Sequence, residues 1–155
     1  MSKTFVLTPV GYVRGGRSDV VDDDWGASRA RIELDPARFK ADALASLEDF
    51  SHIEVIFLFD RVPDEKIEYG ARRPRGRADW PLVGIFAQRG KNRPNRLGLC
   101  SCKILRVDGL AIEVEGLDAI DGTPVLDLKP VMSGFLPRGE IREPVWAREI
   151  MNAYW

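Results

Sequence analysis

Residues 97–115 read LGLCSCKILRVDGLAIEVE and predict two β-strands joined by a tight turn. The run from Leu97 to Val107 is long, largely apolar and free of proline. Asp108-Gly109 follows, a dipeptide typical of two-residue hairpin turns. Beyond it Ile112 and Val114 alternate with glutamates, the period-two pattern of a strand with one buried face. The segment therefore predicts an antiparallel hairpin.

Both cysteines of the chain lie in this hairpin. Cys100 and Cys102 are two residues apart, so their side chains share one face of the strand. A zinc ion takes four ligands, and these thiols with the single histidine, His52, make a poor set. We expect two small buried side chains, a structural hydrogen bond for His52, and no metal site.

Working outward from the hairpin, similar patterns predict further strands. Residues 30–34 alternate apolar and charged side chains, as in a half-buried strand. The stretch from Ile53 to Phe59 is almost wholly apolar, which is typical of a strand buried on both faces. We expect two more strands, at Leu82–Ala87 and Val125–Leu128.

Helical pattern is scarce. Asp35-Pro36 predicts the start of a short helix carrying apolar residues on one side, namely Phe39, Ala43, Leu44 and Leu47. Glu143-Pro144 predicts a second, with Trp146, Ile150 and Tyr154 at helical spacing. The polar segment from Asp64 to Ala78 is interpreted as a mobile loop. The fold class expected is mostly β: a small antiparallel β-barrel with short peripheral helices.

Length and composition limit the class of protein. The 155 residues suit a single domain spanning 1–155, and 45% hydrophobic content is ordinary for a globular protein. No apolar run is long enough to span a bilayer, and the first residues do not resemble a secretory signal. We expect a cytoplasmic protein with no membrane partner.

Basic side chains are concentrated in one part of the chain. The net charge of −1 gives no global reason to expect nucleic acid, and we expect no DNA partner. Arginines nevertheless cluster at Arg72, Arg73, Arg75 and Arg77, and Lys91 follows in a second basic stretch. The cluster predicts contacts with RNA phosphates. The alternative is a solvated loop with scattered arginines.

Two segments carry unusual chemistry. Residues 84–99, GIFAQRGKNRPNRLGL, place a constrained basic loop between two strands, which suits an anionic group. Residues 117–130, LDAIDGTPVLDLKP, hold three carboxylates, Asp118, Asp121 and Asp127. The glycine pattern of a Rossmann nucleotide site is absent.

In this order the segments resemble the TrmO-like family of S-adenosylmethionine-dependent tRNA methyltransferases. The resemblance covers about residues 10–130 and leaves 131–155 as a tail of uncertain role. It includes the opening PVGYV, the RPN of the basic loop, and DGTPVLDLKP. It implies a small β-barrel that binds S-adenosylmethionine without a metal, works as a homodimer and methylates N6 of threonylcarbamoyladenosine beside the tRNA anticodon.

The resemblance also implies cofactor-binding residues. They are Trp25, Gly26, Asp60, Arg61, Arg89, Arg93, Pro94, Asn95, Leu99, Asp121, Gly122, Thr123 and Pro124. The sequence departs from the family pattern at Asp60, often histidine in the family, at Gly90-Lys91 and at Arg96. Exposed aromatics in the tail indicate either a partner surface or packing onto the barrel.

The acceptor and the catalytic base stay open from sequence. Methyl transfer to an amide nitrogen needs a base to remove its proton, and the candidates are Asp60, Asp118, Asp121 and Asp127. We expect a carboxylate or an aromatic face, Asp121 or Trp25, beside the sulfonium. The alternatives are a methyltransferase of the same fold acting on a small molecule or another RNA, and a non-catalytic cofactor- or RNA-binding module.

Overall fold

A computed structural model describes residues 2–155. Six strands close into an antiparallel barrel: β1 (Gly11–Arg14), β2 (Arg29–Leu34), β3 (His52–Leu58), β6 (Leu97–Asp108), β7 (Ala111–Glu115) and β8 (Pro124–Pro130). Their order around the barrel is β1-β2-β7-β6-β3-β8. β4 (Ala71–Arg72) and β5 (Val83–Gly84) form a separate two-stranded sheet. The mostly-β barrel class is confirmed.

The hairpin predicted from residues 97–115 is present. β6 pairs with β7, and Asp108 lies opposite Ala111 across the turn. Gly109 takes a φ of +59°, in the left-handed region that this kind of turn requires. A register shift between Ile104 and Arg106 bends the long β6. The bend helps the strand follow the curvature of a small barrel.

The barrel interior is a packed core. Side chains from all six strands fill it, and several are fully buried: Val13, Ile32, Val55, Ile112, Val114 and Val125. Cys100 and Cys102 point into it from β6, which confirms the structural pair, and burial raises the pKa of the Cys102 thiol to about 12. A small barrel filled by its own side chains is a core rather than a channel. A ligand must therefore bind at an end of the barrel or on its outer wall.

The prediction that Ile53–Phe59 is buried on both faces is wrong. β3 ends at Leu58 and alternates: Ile53, Val55 and Phe57 are buried, whereas Ile56 and Leu58 are partly exposed. In a closed barrel one face of every strand lines the core and the other faces outward. The apolar residues of the outer face form part of an exposed wall.

The helix predicted after Asp35-Pro36 is also wrong. The chain forms 3₁₀ turns instead, at Ala41–Leu44 and Leu47–Asp49. Between them Ser46 takes a φ of +64°, which no continuing α-helix accepts. The carboxylate of Asp35 accepts the Ala37 N–H at 2.9 Å and caps only a turn. The second predicted helix is present as α1 (Val145–Ile150) and ends before Tyr154.

Two expectations for the region before β6 need correction. The strand expected at Leu82–Ala87 is only β5, because a 3₁₀ turn over Ile85–Ala87 follows at once. The segment from Asp64 to Ala78 is not a featureless loop, since it contains β4 between 3₁₀ turns at Asp64–Lys66 and Pro74–Gly76.

The side-chain amide of Gln88 fastens this small sheet. Gln88 is 8% exposed, and its Nε2 donates to the carbonyl oxygens of Arg72 at 2.9 Å and Val83 at 3.0 Å. One buried amide therefore ties β4 to β5.

In the part of the chain that the structure describes, no helix has the length and apolar character needed to cross a bilayer.

We predict that Gly98→Ala destabilises the barrel. A Cβ at position 98 would lie 2.3 Å from a ring carbon of Phe57, whose ring fills the space beside Gly98. Relieving such a clash in a packed core costs about 1–3 kcal/mol in the free energy of unfolding. Urea denaturation measures the loss. Gly134→Ala is the matched control because its Cβ would meet nothing within 4 Å; equal stability of both variants would contradict the packing described.

Candidate functional site

The strand order brings the two unusual segments to one end of the barrel. The end of β3 pairs with the start of β6, Leu58 opposite Leu97 and Phe57 opposite Gly98. On its other side Phe57 lies opposite Val125, near the start of β8. Neighbouring strands are about 4.8 Å apart, so the starts of β6 and β8 are separated by about 10 Å. We call this end the rim; it is formed by residues 57–61, 97–99 and 121–125.

The DGTP segment forms a fixed turn at the rim. The Asp121 carboxylate accepts the Gly15 N–H at 2.9 Å, and the Asp121 N–H donates to the Arg17 carbonyl at 2.7 Å. Gly122 takes a φ of +84°, which favours glycine. Thr123 is buried, and Pro124 begins β8. The turn holds the partly exposed carboxylate of Asp121 in one place.

Arg61 joins the end of β3 to this turn. Its Nη2 donates to the Asp121 carbonyl at 3.2 Å and lies 3.7 Å from the position of a Cβ on Gly122. Asp60, its neighbour, is exposed and forms no hydrogen bond with any side chain or backbone group of residues 2–155. The predicted pair Asp60-Arg61 and the DGTP turn therefore meet at the rim.

The RPN loop closes on itself through its arginines. Arg93 Nη1 donates to the carbonyls of Gln88 at 2.9 Å and Gly90 at 3.3 Å. Pro94 and Asn95 form a turn, closed by a 3.0 Å bond from the Arg96 N–H to the Arg93 carbonyl. Arg93 thus shapes the loop from within, which leaves its backbone groups and Arg89 to meet a ligand.

Arg89 and Leu99 lie together on the outer side of β6. The Arg89 Nη2 donates to the Leu99 carbonyl at 2.8 Å. Leu99 is 46% exposed because odd-numbered residues at the start of β6 face outward. The predicted apolar contact is therefore part of the outer wall and not of the barrel core.

Trp25 and Gly26 lie against the C-terminal segment, residues 145–155. The Asp24 and Trp25 N–H groups donate to the carbonyls of Ala153 at 2.8 Å and Tyr154 at 2.7 Å. A Cβ on Gly26 would lie 2.7 Å from the Trp155 backbone, so only glycine fits there without a shift. The Trp25 ring is 4% exposed.

One face of the Trp25 ring is already covered. The Arg17 guanidinium lies 4.3 Å from the ring centroid, a cation–π contact that sequence reasoning missed. Arg17 also donates to the carbonyls of Asp23 and Asp24, which pulls residues 17–26 into a compact loop. Because Trp25 is only 4% exposed, its ring offers almost no open face to a sulfonium.

Asp118 and Tyr154 form a second contact between the C-terminal segment and the barrel. The Tyr154 hydroxyl donates to Asp118 Oδ2, while Asp118 Oδ1 is buried without a hydrogen-bond partner among residues 2–155. Burial, with the negative charge of Asp118 beside it, raises the pKa of Tyr154 above its usual value. Near α1, Trp80 Nε1 donates to Glu149 at 2.7 Å. No sequence pattern signals contacts between residues so far apart.

The four carboxylates proposed as bases are not equivalent. Asp60 and Asp121 are at the rim. Asp118 is engaged with Tyr154, and Asp127 faces outward from β8, 3.4 Å from Lys129 Nζ. Across the described chain, 2–155, no three His, Cys, Asp or Glu residues are placed to hold a metal ion.

The predicted RNA-binding arginines differ in what they contact. Arg75 pairs with Asp23 at 2.8 Å, which lowers the pKa of that carboxyl, and Arg77 pairs with Asp79. Arg73 donates to the Trp80 carbonyl. Arg72 and Lys91 form no ion pair with a carboxylate of residues 2–155. Half of the cluster therefore has its charge offset within the protein.

The chain is similar to several known proteins. A family model described as the tRNA-methyltransferase O N-terminal domain matches residues 23–135. A protein of Methanothermobacter thermautotrophicus, named a probable S-adenosyl-L-methionine-binding protein, is 36% identical over 80% of this chain and 88% of its own length. A mouse tRNA (adenine(37)-N6)-methyltransferase is 38% identical over 60% of this chain. The crystal structure of TrmO from Pseudomonas aeruginosa has a TM-score of 0.74 and 26% identity over 92% of this chain.

The matches differ in how much of each relative they cover. The chain spans 21% of the mouse protein and 63% of the TrmO chain in the crystal structure, but most of the archaeal protein.

We predict that Tyr154→Phe lowers the free energy of unfolding by about 1.5 kcal/mol at pH 7. The change removes the donor to a buried carboxylate, and partial exposure of Tyr154 keeps the loss at the low end of the range for charged acceptors. Tyr69→Phe is the control, because Tyr69 is 75% exposed.

The same pair of proteins tests the sign of the pH dependence. A raised pKa in the folded state stabilises the fold fully below the unfolded value of about 10, and the contribution falls as pH rises above it. The difference between wild type and Tyr154→Phe should therefore shrink above about pH 10, measured by urea denaturation. A difference that grows there would refute the contact.

Proposed function

The chain belongs to the family of the tRNA-methyltransferase O N-terminal domain, and from this membership we propose that it is an S-adenosylmethionine-dependent methyltransferase. Its proposed reaction is N6-methylation of threonylcarbamoyladenosine in tRNA, next to the anticodon. The observation that carries the proposal is that the end of the RPN loop and the DGTP turn both contact the residues that follow β3. The Phe59 N–H donates to the Arg96 carbonyl at 2.8 Å, and Arg61 donates to the Asp121 carbonyl at 3.2 Å.

The groups at the rim fit the three chemical parts of the cofactor. Arg61 and Arg89 each use one N–H on a carbonyl and pair with no carboxylate of the described residues, so both have donors left for an anionic carboxylate. The partly exposed carboxylate of Asp121 suits the positive sulfonium. Exposed apolar side chains of the outer wall, Leu97 and Leu99, suit the adenine.

The bound cofactor supplies an electrophilic methyl group on a sulfonium. The task of the protein is to hold the acceptor nitrogen in line with it, and positioning of this kind accounts for much of the rate of a displacement reaction. The RPN loop and the DGTP turn are suited to that task because their conformations are fixed by hydrogen bonds within the chain.

An acceptor amide must also lose a proton. Of the four candidate bases we favour Asp60 and Asp121, since both are at the rim. Asp60 is exposed and free of hydrogen bonds within the described chain, so its carboxylate is available to accept a proton. Asp118 is assigned a positioning role instead, because its carboxylate holds Tyr154.

RNA binding is assigned to the cations that the protein does not neutralise itself. Arg72 and Lys91 fit this description, and Arg89 lies between them and the rim. Each uncompensated cation that meets a phosphate releases counterions and adds affinity. Arg75 and Arg77 are weaker candidates, since the carboxylates of Asp23 and Asp79 offset their charges. Arg73 keeps its charge but has one guanidinium N–H engaged by the Trp80 carbonyl.

We further propose that the protein works in the cytoplasm, where tRNA is available, and as a homodimer. Exposed apolar side chains outside the barrel support self-association. They lie in the segment before β1: Phe5, Val6 and Leu7.

The second candidate is a methyltransferase of the same fold that acts on a small molecule or another RNA. It is favoured by the ion pairs of Arg75 and Arg77, which reduce the basic surface open to tRNA. The departures from the family pattern at Asp60, Gly90-Lys91 and Arg96 also lie near the rim.

Cofactor binding is tested by calorimetry with S-adenosylmethionine. We expect binding by the wild type and a loss of about ten-fold or more in Kd for Arg89→Ala, because a charge-assisted hydrogen bond disappears. Arg138→Ala removes the same charge from an exposed site outside the rim and should bind normally. No binding by the wild type would defeat both methyltransferase proposals.

The tRNA substrate is tested by mass spectrometry of tRNA nucleosides. We expect tRNA from a strain lacking the gene to lose the N6-methyl form of threonylcarbamoyladenosine, and the wild-type gene to restore it. A complementing gene with Arg89→Ala should fail to restore it, whereas Arg138→Ala should succeed. An unchanged nucleoside profile together with cofactor binding would favour the second candidate.

A further inference from the structure

The two-stranded sheet beside the rim exposes an apolar face. Tyr69 is 75% exposed, Leu82 62% and Phe86 81%, which is unusual for large apolar side chains on three neighbouring segments. Ala71 and Gly84, also exposed, pair directly with each other in the β4–β5 register. We call these five residues the platform.

Backbone pairing brings these residues together. Ala71 lies opposite Gly84, and the Ile85 N–H donates to the Gly70 carbonyl at 2.9 Å, which places the segments carrying Tyr69 and Phe86 beside each other. Phe86 lies in the 3₁₀ turn that follows β5. Ile85, at the start of that turn, is 1% exposed, whereas Gly84 and Phe86 on either side of it are exposed.

The centre of the platform is flat and open. A Cβ on Gly84 would meet no atom within 4 Å, and Ala71 opposite adds only a methyl group. The two aromatic rings stand at one end and Leu82 at the other. A flat strand surface with exposed aromatics is the kind of surface on which unpaired nucleobases stack.

Cations surround the platform on the side of the rim. The Glu68 N–H donates to the Asn92 carbonyl at 3.0 Å, which puts Tyr69 next to the RPN loop with its Lys91. Arg89 follows Phe86 by three residues and reaches Leu99. The nearest carboxylate in sequence, Glu68, is turned onto the Gly70 N–H at 2.7 Å.

We propose that the platform stacks unpaired nucleobases of the RNA substrate through Tyr69 and Phe86, and so presents the target nucleotide to the rim. The inference rests on the proposed function and deepens it by naming how the RNA is held. The uncompensated charges of Arg89 and Lys91 complement a phosphate backbone. A second copy of the chain is the less favoured occupant, since stable interfaces need about 20–30 residues a side.

The test uses the full chain and an unmodified anticodon stem-loop RNA, with fluorescence anisotropy at fixed salt as the measurement. We expect Phe86→Leu and Tyr69→Leu each to weaken the RNA Kd by about ten-fold, because leucine keeps the apolar area but loses the stacking face. Phe86→Tyr should bind as the wild type does. Phe135→Leu, at a position that is 85% exposed on another segment, is the matched control.

Two further measurements on the same proteins separate the outcomes. In calorimetry with S-adenosylmethionine, Phe86→Leu should bind the cofactor with the wild-type Kd. If the wild type does not bind the cofactor, the proposed function is wrong. The RNA affinities of wild type and variant can still be compared in that case. Unchanged RNA affinity in Phe86→Leu would overturn the proposal for the platform, and so would no RNA binding by the wild type. A lower mass for Phe86→Leu than for the wild type in sedimentation would also overturn it, because Phe86 would then belong to the contact between two copies.

Discussion

The pairing of β3 with β6 on one side and β8 on the other is the constraint on which the rest of the structure depends. β3 lies between β6 and β8, which do not pair with each other, and so brings residues 97–99 near residues 121–125. The contact between Phe57 and Gly98 fixes this register, because any larger residue at position 98 would displace the ring. The rim is thus a consequence of core packing.

A filled interior decides where chemistry is possible. Since Val55, Phe57 and Cys100 and their neighbours leave no space inside, the barrel is a support and its loops form the site. The same alternation that buries even-numbered residues of β6 turns Leu97 and Leu99 outward. An apolar wall at the rim therefore requires no departure from ordinary strand geometry.

How far the sequence predicts the molecule depends on the range of the interaction. The 97–115 hairpin was predictable because Asp108-Gly109 and the period-two pattern are local signals. The predicted helix over residues 35–47 is wrong because Ser46 takes a φ of +64°, which interrupts a helix. The spacing of apolar residues carries no information about this backbone angle. The two-sided burial of β3 failed because barrel closure, a property of all six strands, decides which face is covered.

The site shows the same division. The DGTP and RPN segments could be named from sequence by resemblance, and their meeting at the rim follows from strand order. The ion pair of Arg75 with Asp23, the Arg17–Trp25 contact and the Tyr154–Asp118 bond could not, because each depends on tertiary contacts between loops. These contacts change the interpretation of the basic cluster, since an arginine that already has a carboxylate gains less from a phosphate.

The C-terminal segment, residues 145–155, holds part of the domain in place although it lies outside the residues that match the family. The match to the family ends at residue 135, yet Ala153 and Tyr154 hold the backbone of Asp24 and Trp25, and Tyr154 holds Asp118. Residues 17–26 have few other long-range bonds, so their order depends on a segment outside the matched region. The barrel closes through strands that all lie before that segment, which separates folding of the core from the ordering of residues 17–26. Gly26 is the contact point between residues 17–26 and the C-terminal segment, because only a residue without a Cβ lets Trp155 lie against it.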